Sequence, residues 1–440
     1  MVSNYATERR VVITGMGVIC PLGNSPDSLW QAIEGRQSGV GELRSLPVEG
    51  APVRFGAEAW TFRGQAEEFA ITDKALLRTV RKALKLMCRE IQMGVAAAQQ
   101  ALSQAALTVD KRDPERVGVV FGSDYIMTAP EEFTTAIRTC LDESGQFVFA
   151  QWARQGINQV DPLWLLKYLP NMPASHVAIL NDLRGPNNSL TVREASANLA
   201  VAEAFCTIVR GHAEAMIAGA TGTRLHPIRS VHISLQETLA VGHDPHQLSR
   251  PFDVNRTGLV VGEGAGALVL EELRAAEARG ATIFAEVLGY GSSAVARLNG
   301  RDGRTAAVVN ALQQALQTAG IRPGDVGHIH AHGLATVDSD IAEAQAIAQV
   351  FEGLRIPVTA LKSYMGNLGA GGGLVELIAT ILSLQHGKFI PVLNHHHTDP
   401  RCPIRVVTQP DESPGEIAVN LNFTPQGQAS AVVVRRWDNS

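Results

Sequence analysis

The sequence contains no run of 18 apolar residues, which is about the length that a membrane-spanning helix needs. Its first ten residues are polar and lead directly into Val11-Val12-Ile13, a pattern that is not typical of a signal peptide. We therefore expect neither a membrane span nor a secretory segment.

An excess of positive charge is also missing. Lys and Arg number 38 and Asp and Glu number 43, which gives a net charge of −5. General nucleic-acid binders carry a clear positive excess, so we expect no nucleic-acid partner. With 45% hydrophobic and 18% charged residues, the composition is that of an ordinary soluble globular protein.

Cysteine is scarce, and its spacing excludes the common metal and redox motifs. The five cysteines form no C-x-x-C pair, which favours a reduced, cytoplasmic protein. The triplet His395–His397 has no acidic or cysteine ligands at a suitable spacing, so we expect no metal. The glycines of Gly258–Gly266 lack the Lys-Ser/Thr pair of a phosphate loop, which favours close strand packing instead.

Short apolar strands alternate with amphipathic helices along 440 residues. Strands too apolar to face water indicate an α/β fold with helices on both faces of a sheet. A charged helix at Glu271–Gly280 separates two halves, each with a small-residue helix behind a strand. We expect an N-terminal half at residues 1–273, with a cap insertion near 124–180, and a C-terminal half at residues 281–440.

The segment Gly185–Ala200 has the pattern of a strand, a sharp turn and a helix. Gly-Pro opens the segment, Ser189–Val192 is β-prone, and a helix follows from Ala195. Enzymes place nucleophiles at such turns, where free N–H groups and the helix dipole favour negative charge. The bend carries Glu194, which we expect to be exposed and ionised.

Two further loops carry polar residues at predicted strand ends, namely His332 and the pair Lys362 and Asn367. Sites in open α/β sheets form at the carboxyl ends of strands. Each residue alone is more simply interpreted as a packed side chain. The segment Thr72–Leu102 is a helix or helix pair with many basic residues, either a solvated face or a docking surface for an acidic partner.

Several long motifs occur in a characteristic order. They are Arg10–Gly17, Leu169–Met172, Gly185-Pro186, Ser249–Asp253, Gly262–Gly266, His332–Glu343 and Lys362-Ser363. In these motifs the chain resembles the β-ketoacyl-acyl-carrier-protein synthases, the condensing enzymes of fatty acid and polyketide synthesis, over nearly its whole length. The resemblance implies the thiolase-like, five-layered αβαβα fold built from two duplicated halves.

In that family an elbow cysteine takes an acyl group from the carrier protein, and two histidines assist decarboxylation of the malonyl group. The resemblance places Glu194 at the cysteine position, His332 at the first histidine and Asn367 at the second. Lys362 and Glu376 match a lysine and a glutamate that the family carries around this loop. Condensation through an acyl-cysteine is therefore not available.

Two loops that the family uses for substrate access also differ. The family's Gly-Phe-Gly-Gly gate is replaced by Asn422–Pro425, which retains Phe423, and Thr and Pro in place of Gly should stiffen it. Of two threonines that contact the phosphopantetheine arm, only Thr336 remains, because Leu334 replaces the other. We expect Thr336, Phe423 and Glu376 to line what is left of the substrate site.

Three functions stay open. The first is a non-condensing partner subunit, similar to the chain-length factors of type II polyketide synthases. The second is a malonyl-carrier-protein decarboxylase using His332 and Asn367, although an ionised Glu194 at about 4 Å would repel the malonate by about 4 kcal/mol at an effective dielectric of about 20. The third is another activity with Glu194 as general base, which needs a raised pKa.

The resemblance also implies partners. We expect acyl carrier protein, with its phosphopantetheine arm and no other cofactor, to dock on Lys82, Lys85 and Arg89. A homodimer, or a heterodimer with a cysteine-containing ketosynthase, would place Ser189–Val192 near the interface. We further expect Glu194 to lie in the former oxyanion site, paired with Lys362 or His332.

Overall fold

The computed structural model describes residues 9–46, 52–296 and 302–438. The strands are β1 Val11–Ile19, β2 Gly41–Glu42, β3 Phe55–Gly56, β4 Val117–Ser123, β5 Asn187–Thr191, β6 Ala215–Thr223, β7 Glu263–Glu272, β8 Ala285–Ala294, β9 His328–His330, β10 Pro357–Thr359, β11 Arg405–Val406, β12 Ile417–Phe423 and β13 Gln428–Arg436. The α-helices are α1 Pro26–Glu34, α2 Lys74–Ala83, α3 Arg89–Gln104, α4 Glu131–Arg138, α5 Phe149–Gln151, α6 Met172–Asn181, α7 Ser196–Val209, α8 Pro227–Gln236, α9 Leu273–Ala278, α10 Arg304–Ala319, α11 Val337–Val350, α12 Lys362–Met365 and α13 Gly372–His386.

The main sheet is mixed and extends through both halves of the chain. Among the described residues, eleven strands pair in the order β11-β10-β9-β12-β13-β8-β1-β7-β6-β4-β5, and β2 pairs with β3 apart from them. The two halves meet where β1 and β8 run antiparallel, with Val11 opposite Val287. Because β5 lies at one end of this order, its outer edge has no strand partner in the described chain.

Helices cover both faces of each half, and two of them lie between the halves. Helix α3 packs on β1, β6 and β7, whereas α10 packs on β8 and β13 and is covered by α11. Helices α7 and α13 contact strands of both halves. The layer order is therefore α3, first half-sheet, α7 with α13, second half-sheet, and α10 with α11, which confirms the predicted αβαβα fold.

The alternation of side chains along the strands separates the hydrophobic cores. Met216 and Ala218 of β6 enter the central core around α7 and α13, while Ile217 between them enters the outer core around α3. In β13, Val432 faces the central core and Val433 the core around α10. Strands buried on both faces explain why the sequence shows continuous apolar runs.

Glycine permits the close approach of the central helices. A Cβ atom on Gly373 of α13 would lie 2.7 Å from the Cβ of Ala197 on α7. A Cβ on Gly266 of β7 would lie 2.7 Å from the Cβ of Leu374. Gly266 of β7 therefore permits the close approach of α13 to the strand.

Two regions show how far the local patterns were informative. The predicted helix pair at 72–102 is confirmed as α2 and α3, joined by a short 3₁₀ turn at Leu84–Leu86. The region 40–70 contains β2 and β3 and buries Phe69 completely, and its residues 47–51 lie outside the described chain. No helix in the described ranges is both long and apolar enough to cross a membrane.

Candidate functional site

The predicted strand–turn–helix elbow is confirmed. Strand β5 ends at Thr191, a 3₁₀ turn spans Arg193–Ala195, and α7 begins at Ser196. Arg193 has a φ of 51°, a left-handed conformation that is uncommon for a side chain other than glycine. The Ser196 hydroxyl stabilises the turn by accepting from the Val192 N–H at 2.7 Å and donating to the Ser123 carbonyl at 3.0 Å.

The expectation that Glu194 is exposed is wrong, because only 2% of the residue is accessible to solvent. One carboxylate oxygen, Oε1, accepts a hydrogen bond from the Arg224 guanidinium and a second one from Asn367 Nδ2 at 3.1 Å. The other oxygen, Oε2, lies 3.3 Å from Nε of Arg193. That last contact is an ion pair without hydrogen-bond alignment, since both atoms lack an aligned partner.

Arg224 is the functional residue that sequence reasoning missed. It follows β6 directly, is itself 2% exposed, and places Nη1 3.0 Å from Oδ2 of Asp124 at the end of β4. Its guanidinium thus lies between two buried carboxylates, those of Glu194 and Asp124. The signal in the sequence was only weak, because an arginine that directly follows a buried strand requires an acidic partner only where it is itself buried.

The buried charges determine the protonation of Glu194. Burial alone would raise the pKa of this carboxyl, but the positive charges of Arg224 and Arg193 outweigh burial and hold the pKa below its usual value. For Arg224, burial would lower the pKa, and the charges of Glu194 and Asp124 raise it instead. Glu194 is therefore a fixed carboxylate, as predicted, although the charges of Arg224 and Arg193 lower its pKa more than the backbone N–H does.

Arg193 connects the elbow to two other loops. Its guanidinium lies 3.1 Å from Oε1 of Glu237, and it donates to Gln236 at the end of α8 at 3.3 Å. It also donates to Gln426, in the turn between β12 and β13, at 3.2 Å. Burial, followed by the negative charge of Glu194, raises the pKa of Glu237.

His332 lies on the second loop and is held there through its backbone. Its N–H and that of Gly333 donate to the Glu343 carboxylate at 2.6 and 2.9 Å. The ring Nδ1 lies 3.2 Å from the Lys362 ammonium, and burial followed by the charge of Lys362 places the pKa of His332 well below its usual value. Because an ammonium group only donates, Nδ1 accepts and Nε2 carries the proton of a neutral ring.

The expectation that Lys362 or His332 neutralises Glu194 is wrong. Lys362 Nζ donates to Oε1 of Glu376 on α13, and Oε2 of the same carboxylate accepts from Asn422 Nδ2 at 2.7 Å. Lys362 is therefore already paired with Glu376 in the C-terminal half of the chain. The cation that pairs with Glu194 at the elbow is Arg224.

Asn367 lies directly against the elbow, as its predicted place at the second histidine position requires. Its Nδ2 donates to Glu194, and its Oδ1 accepts from the Gly369 N–H at 3.0 Å. These two contacts fix which way the amide faces. The Asn367 amide is therefore a hydrogen-bond donor to Glu194.

Of the remaining predicted substrate residues, Phe423 packs on His332, and Thr336 is buried at the start of α11. Phe423 ends β12 with its ring centroid 4.7 Å from that of His332, and Thr424 N donates to Gln428 O at 2.8 Å to close a tight hairpin. Thr336 is the N-cap residue of α11 and is 8% exposed. The site is closed in this conformation, because Glu194, His332 and Asn367 are each at most 2% exposed.

The three predicted carrier-docking residues differ in their exposure and in their contacts. Lys82 and Lys85 are exposed at the end of α2 and in the 3₁₀ turn after it. Arg89 instead binds Glu263 at 2.7 Å and the Phe62 carbonyl at 2.7 Å. Its guanidinium is therefore a structural link between α3 and β7.

The His395–His397 triplet makes ordinary loop contacts. His395 Nδ1 lies 3.0 Å from the Pro251 carbonyl, and its Nε2 lies 2.8 Å from Thr398 Oγ1. Across residues 9–46, 52–296 and 302–438, no cluster of three or more His, Cys, Asp or Glu side chains could hold a metal ion.

Comparisons with known proteins cover nearly the whole chain. Residues 8–276 match the N-terminal domain of the β-ketoacyl synthases and residues 284–396 match their C-terminal domain. The 3-oxoacyl-[acyl-carrier-protein] synthase 2 of Synechocystis is 32% identical over 91% of both chains, and that of Staphylococcus aureus strain COL is 31% identical over 91% of both.

Solved structures agree with these matches. A β-ketoacyl synthase from Burkholderia phymatum is 30% identical with a TM-score of 0.84, over 98% of this chain and 100% of the other. The ishigamide ketosynthase/chain length factor is 26% identical with a TM-score of 0.81, at the same coverage. A third match is one chain of the structure of a type II polyketide synthase acyl-carrier protein in complex with its ketosynthase bound to the hexaketide. That chain is 25% identical, with a TM-score of 0.83 and the same coverage.

Proposed function

The chain belongs to the β-ketoacyl synthase family, and on that premise we propose that it is a non-condensing partner subunit in type II fatty acid or polyketide synthesis. Its role is then similar to that of a chain length factor. It pairs with a ketosynthase that carries the cysteine and works on acyl chains held by the phosphopantetheine arm of acyl carrier protein. No other cofactor is needed.

The buried ion pair at the elbow carries this proposal. Condensation begins with attack by a thiolate, and position 194 offers a carboxylate whose oxygens are occupied by Arg224, Asn367 and Arg193. An acyl group on that carboxylate would be an anhydride, which water readily destroys. The chain therefore retains the elbow of a condensing enzyme without a nucleophile that could hold an acyl group.

An exposed surface beside the elbow supports the proposal that the chain is a partner subunit. The outer edge of β5 is unpaired within the described chain, and exposed strand edges readily pair with another chain. Near the elbow, α8 exposes Ile228, Val231 and Leu235, which lie on one helical face and are 41%, 46% and 80% accessible. One solved relative is itself a ketosynthase/chain length factor pair.

The first experiment is co-expression with a cysteine-bearing ketosynthase of the same cell, followed by size-exclusion chromatography with light scattering. We expect a stable one-to-one complex that Leu235→Asp on α8 weakens. Val109→Asp, at a similarly exposed site after α3, is the matched control and should leave the complex intact. A homodimer that excludes every such ketosynthase would contradict the proposal.

One observation favours a malonyl-carrier-protein decarboxylase as the second candidate. His332 offers an Nε2–H from a neutral ring, and Asn367 offers an amide donor that is directed to Glu194 in this conformation. Two such donors are what an enolate oxygen requires. Arg224 also offsets the charge of Glu194, so the repulsion of a malonate is weaker than an isolated glutamate implies. General-base catalysis by Glu194 has less support, because its pKa is lowered rather than raised.

Malonyl-carrier protein separates the two candidates. The partner-subunit proposal expects no CO2 release above background from this chain alone, measured with malonyl-labelled substrate. Release that disappears in His332→Ala but persists in the exposed control Val109→Asp would replace the partner-subunit proposal with the decarboxylase.

A further inference from the structure

Two arginine side chains form ion pairs with the Glu194 carboxylate. Arg224 reaches it from the end of β6, and Arg193 reaches it from within the elbow itself. Arg224 continues inward to Asp124, and Arg193 continues outward to Gln426 in the turn of the β12–β13 hairpin. One carboxylate thus ties together the elbow, the base of the insertion that begins at residue 124, and the gate hairpin.

The inward part of this network occupies space in the protein interior. Glu194, Arg224 and Asp124 are 2%, 2% and 1% exposed, and Arg224 is among the largest fully buried side chains. The backbone approaches Arg224 closely on one side, since a Cβ atom on Gly369 would lie 3.2 Å from Arg224 Nε. An acyl chain attached at position 194 and directed inward would have to displace the guanidinium.

The network is also poorly satisfied for its degree of burial. Glu194 Oε2, Arg224 Nε and Asp124 Oδ2 have no aligned hydrogen-bond partner, although ion-pair contacts reach two of them. Buried ion pairs contribute little net stability compared with apolar side chains of similar size. Good packing alone would therefore favour apolar residues here, which indicates another reason for the charges.

We propose that Arg224, held between Glu194 and Asp124, is an internal seal that excludes an acyl chain from this subunit. Arg224 thereby determines specificity, and the glutamate at position 194 and the arginine at position 224 both keep the chain from carrying acyl groups. The inference rests on the proposed function because both concern the elbow. It differs in that it concerns access to position 194 rather than the nucleophile there.

The test introduces a reporter thiol with Glu194→Cys, which leaves Arg224 paired with Asp124. Labelling by iodoacetamide is compared with labelling by an iodoacetamide that carries an N-dodecyl tail, with both rates read by intact-protein mass spectrometry. In each case the thiolate displaces iodide. The wild type gives the background from the natural cysteines, of which Cys20, Cys140 and Cys402 are buried.

We expect the dodecyl reagent to label Glu194→Cys at least about tenfold more slowly than iodoacetamide, a barrier difference of about 1.4 kcal/mol. Adding Arg224→Ala and Asp124→Ala should bring the two rates within about twofold, a barrier difference of about 0.4 kcal/mol. Equal rates already in Glu194→Cys would overturn the seal.

If the triple variant does not fold, as judged by circular dichroism, Glu194→Cys with Asp124→Ala takes its place. Arg224 then loses its anchor, and the dodecyl rate should rise severalfold over that of Glu194→Cys, whereas an unchanged rate would refute the proposal. Labelling needs no partner or carrier protein. A failed seal is therefore distinguishable from a failed partner-subunit proposal, which the co-expression experiment detects.

Discussion

Glu194→Gln is expected to lower the free energy of unfolding by about 3 kcal/mol, the lower end of the range for breaking a buried ion pair. Glutamine keeps the shape of the side chain and an oxygen for Arg224 and Asn367 to donate to. The loss is therefore mainly the charge. Arg224 stays paired with Asp124 at 3.0 Å, so no cation is left alone.

Arg224→Met should lower the free energy of unfolding further, by about 5 kcal/mol, the upper end of the same range. Two buried carboxylates, Glu194 and Asp124, then lose their shared cation, and Arg193 is the one cationic side chain of the described residues left within 4 Å of Glu194. Arg224→Met is expected to cost more than Glu194→Gln because one guanidinium lies between two carboxylates. The combined variant should cost less than the sum of the two, with a coupling energy of about 2 kcal/mol.

The assay is urea unfolding at pH 7, followed by both tryptophan fluorescence and circular dichroism so that a two-state analysis can be checked. Arg81→Met removes the exposed Arg81–Glu67 pair and is the control, because exposed pairs contribute little. Equal destabilisation by Glu194→Gln and Arg224→Met, or additive effects of the two substitutions, would refute the sharing of Arg224 between two carboxylates.

Three further outcomes are expected. The pKa of Glu194 is lowered in the folded protein, so the ionised carboxylate stabilises the fold above the unfolded-state pKa of about 4.3. This contribution to stability is lost as the pH falls below that value. Urea midpoints measured between pH 7 and pH 3 should therefore fall more steeply for wild type than for Glu194→Gln. Asn198→Leu should cost about 2–3 kcal/mol in thermal or urea unfolding, because three buried oxygens on β12 and β13 that accept from Asn198 at 3.1 Å lose their donor. Charge reversal of Lys82 and Lys85 together should weaken carrier-protein binding in a low-salt titration, with unchanged affinity speaking against this surface, while Arg89→Glu should mainly lower thermal stability through loss of the contact with Glu263.

The fold was predictable from the sequence because its signals are local. Continuous apolar runs such as Val117–Phe121 predict strands buried on both faces, and small-residue helices such as α7 and α13 predict close contacts. The elbow was also predictable, since Gly-Pro, a β-prone run and an alanine-rich helix follow one another within sixteen residues.

The electrostatics of the site were predicted less well, because they depend on contacts between distant parts of the chain. A local pattern made Glu194 exposed, whereas Arg224, thirty residues later, buries it. Lys362 was predicted as a partner of Glu194, but Glu376 on the next helix is closer to it in space. Arg89 was grouped with its basic neighbours, although Glu263 on β7 already binds it.

The central hydrogen-bond network has a consequence for recombination between related chains. Asn198 on α7 donates to the Asn422 side chain and accepts from Asn420, while Asn420 also binds the Gly373 carbonyl on α13. The natural crossover point, near residues 273–281, lies between these partners. A chimera joined there inherits each side of the network from a different parent, so both parents must carry compatible polar residues at positions 198, 420 and 422.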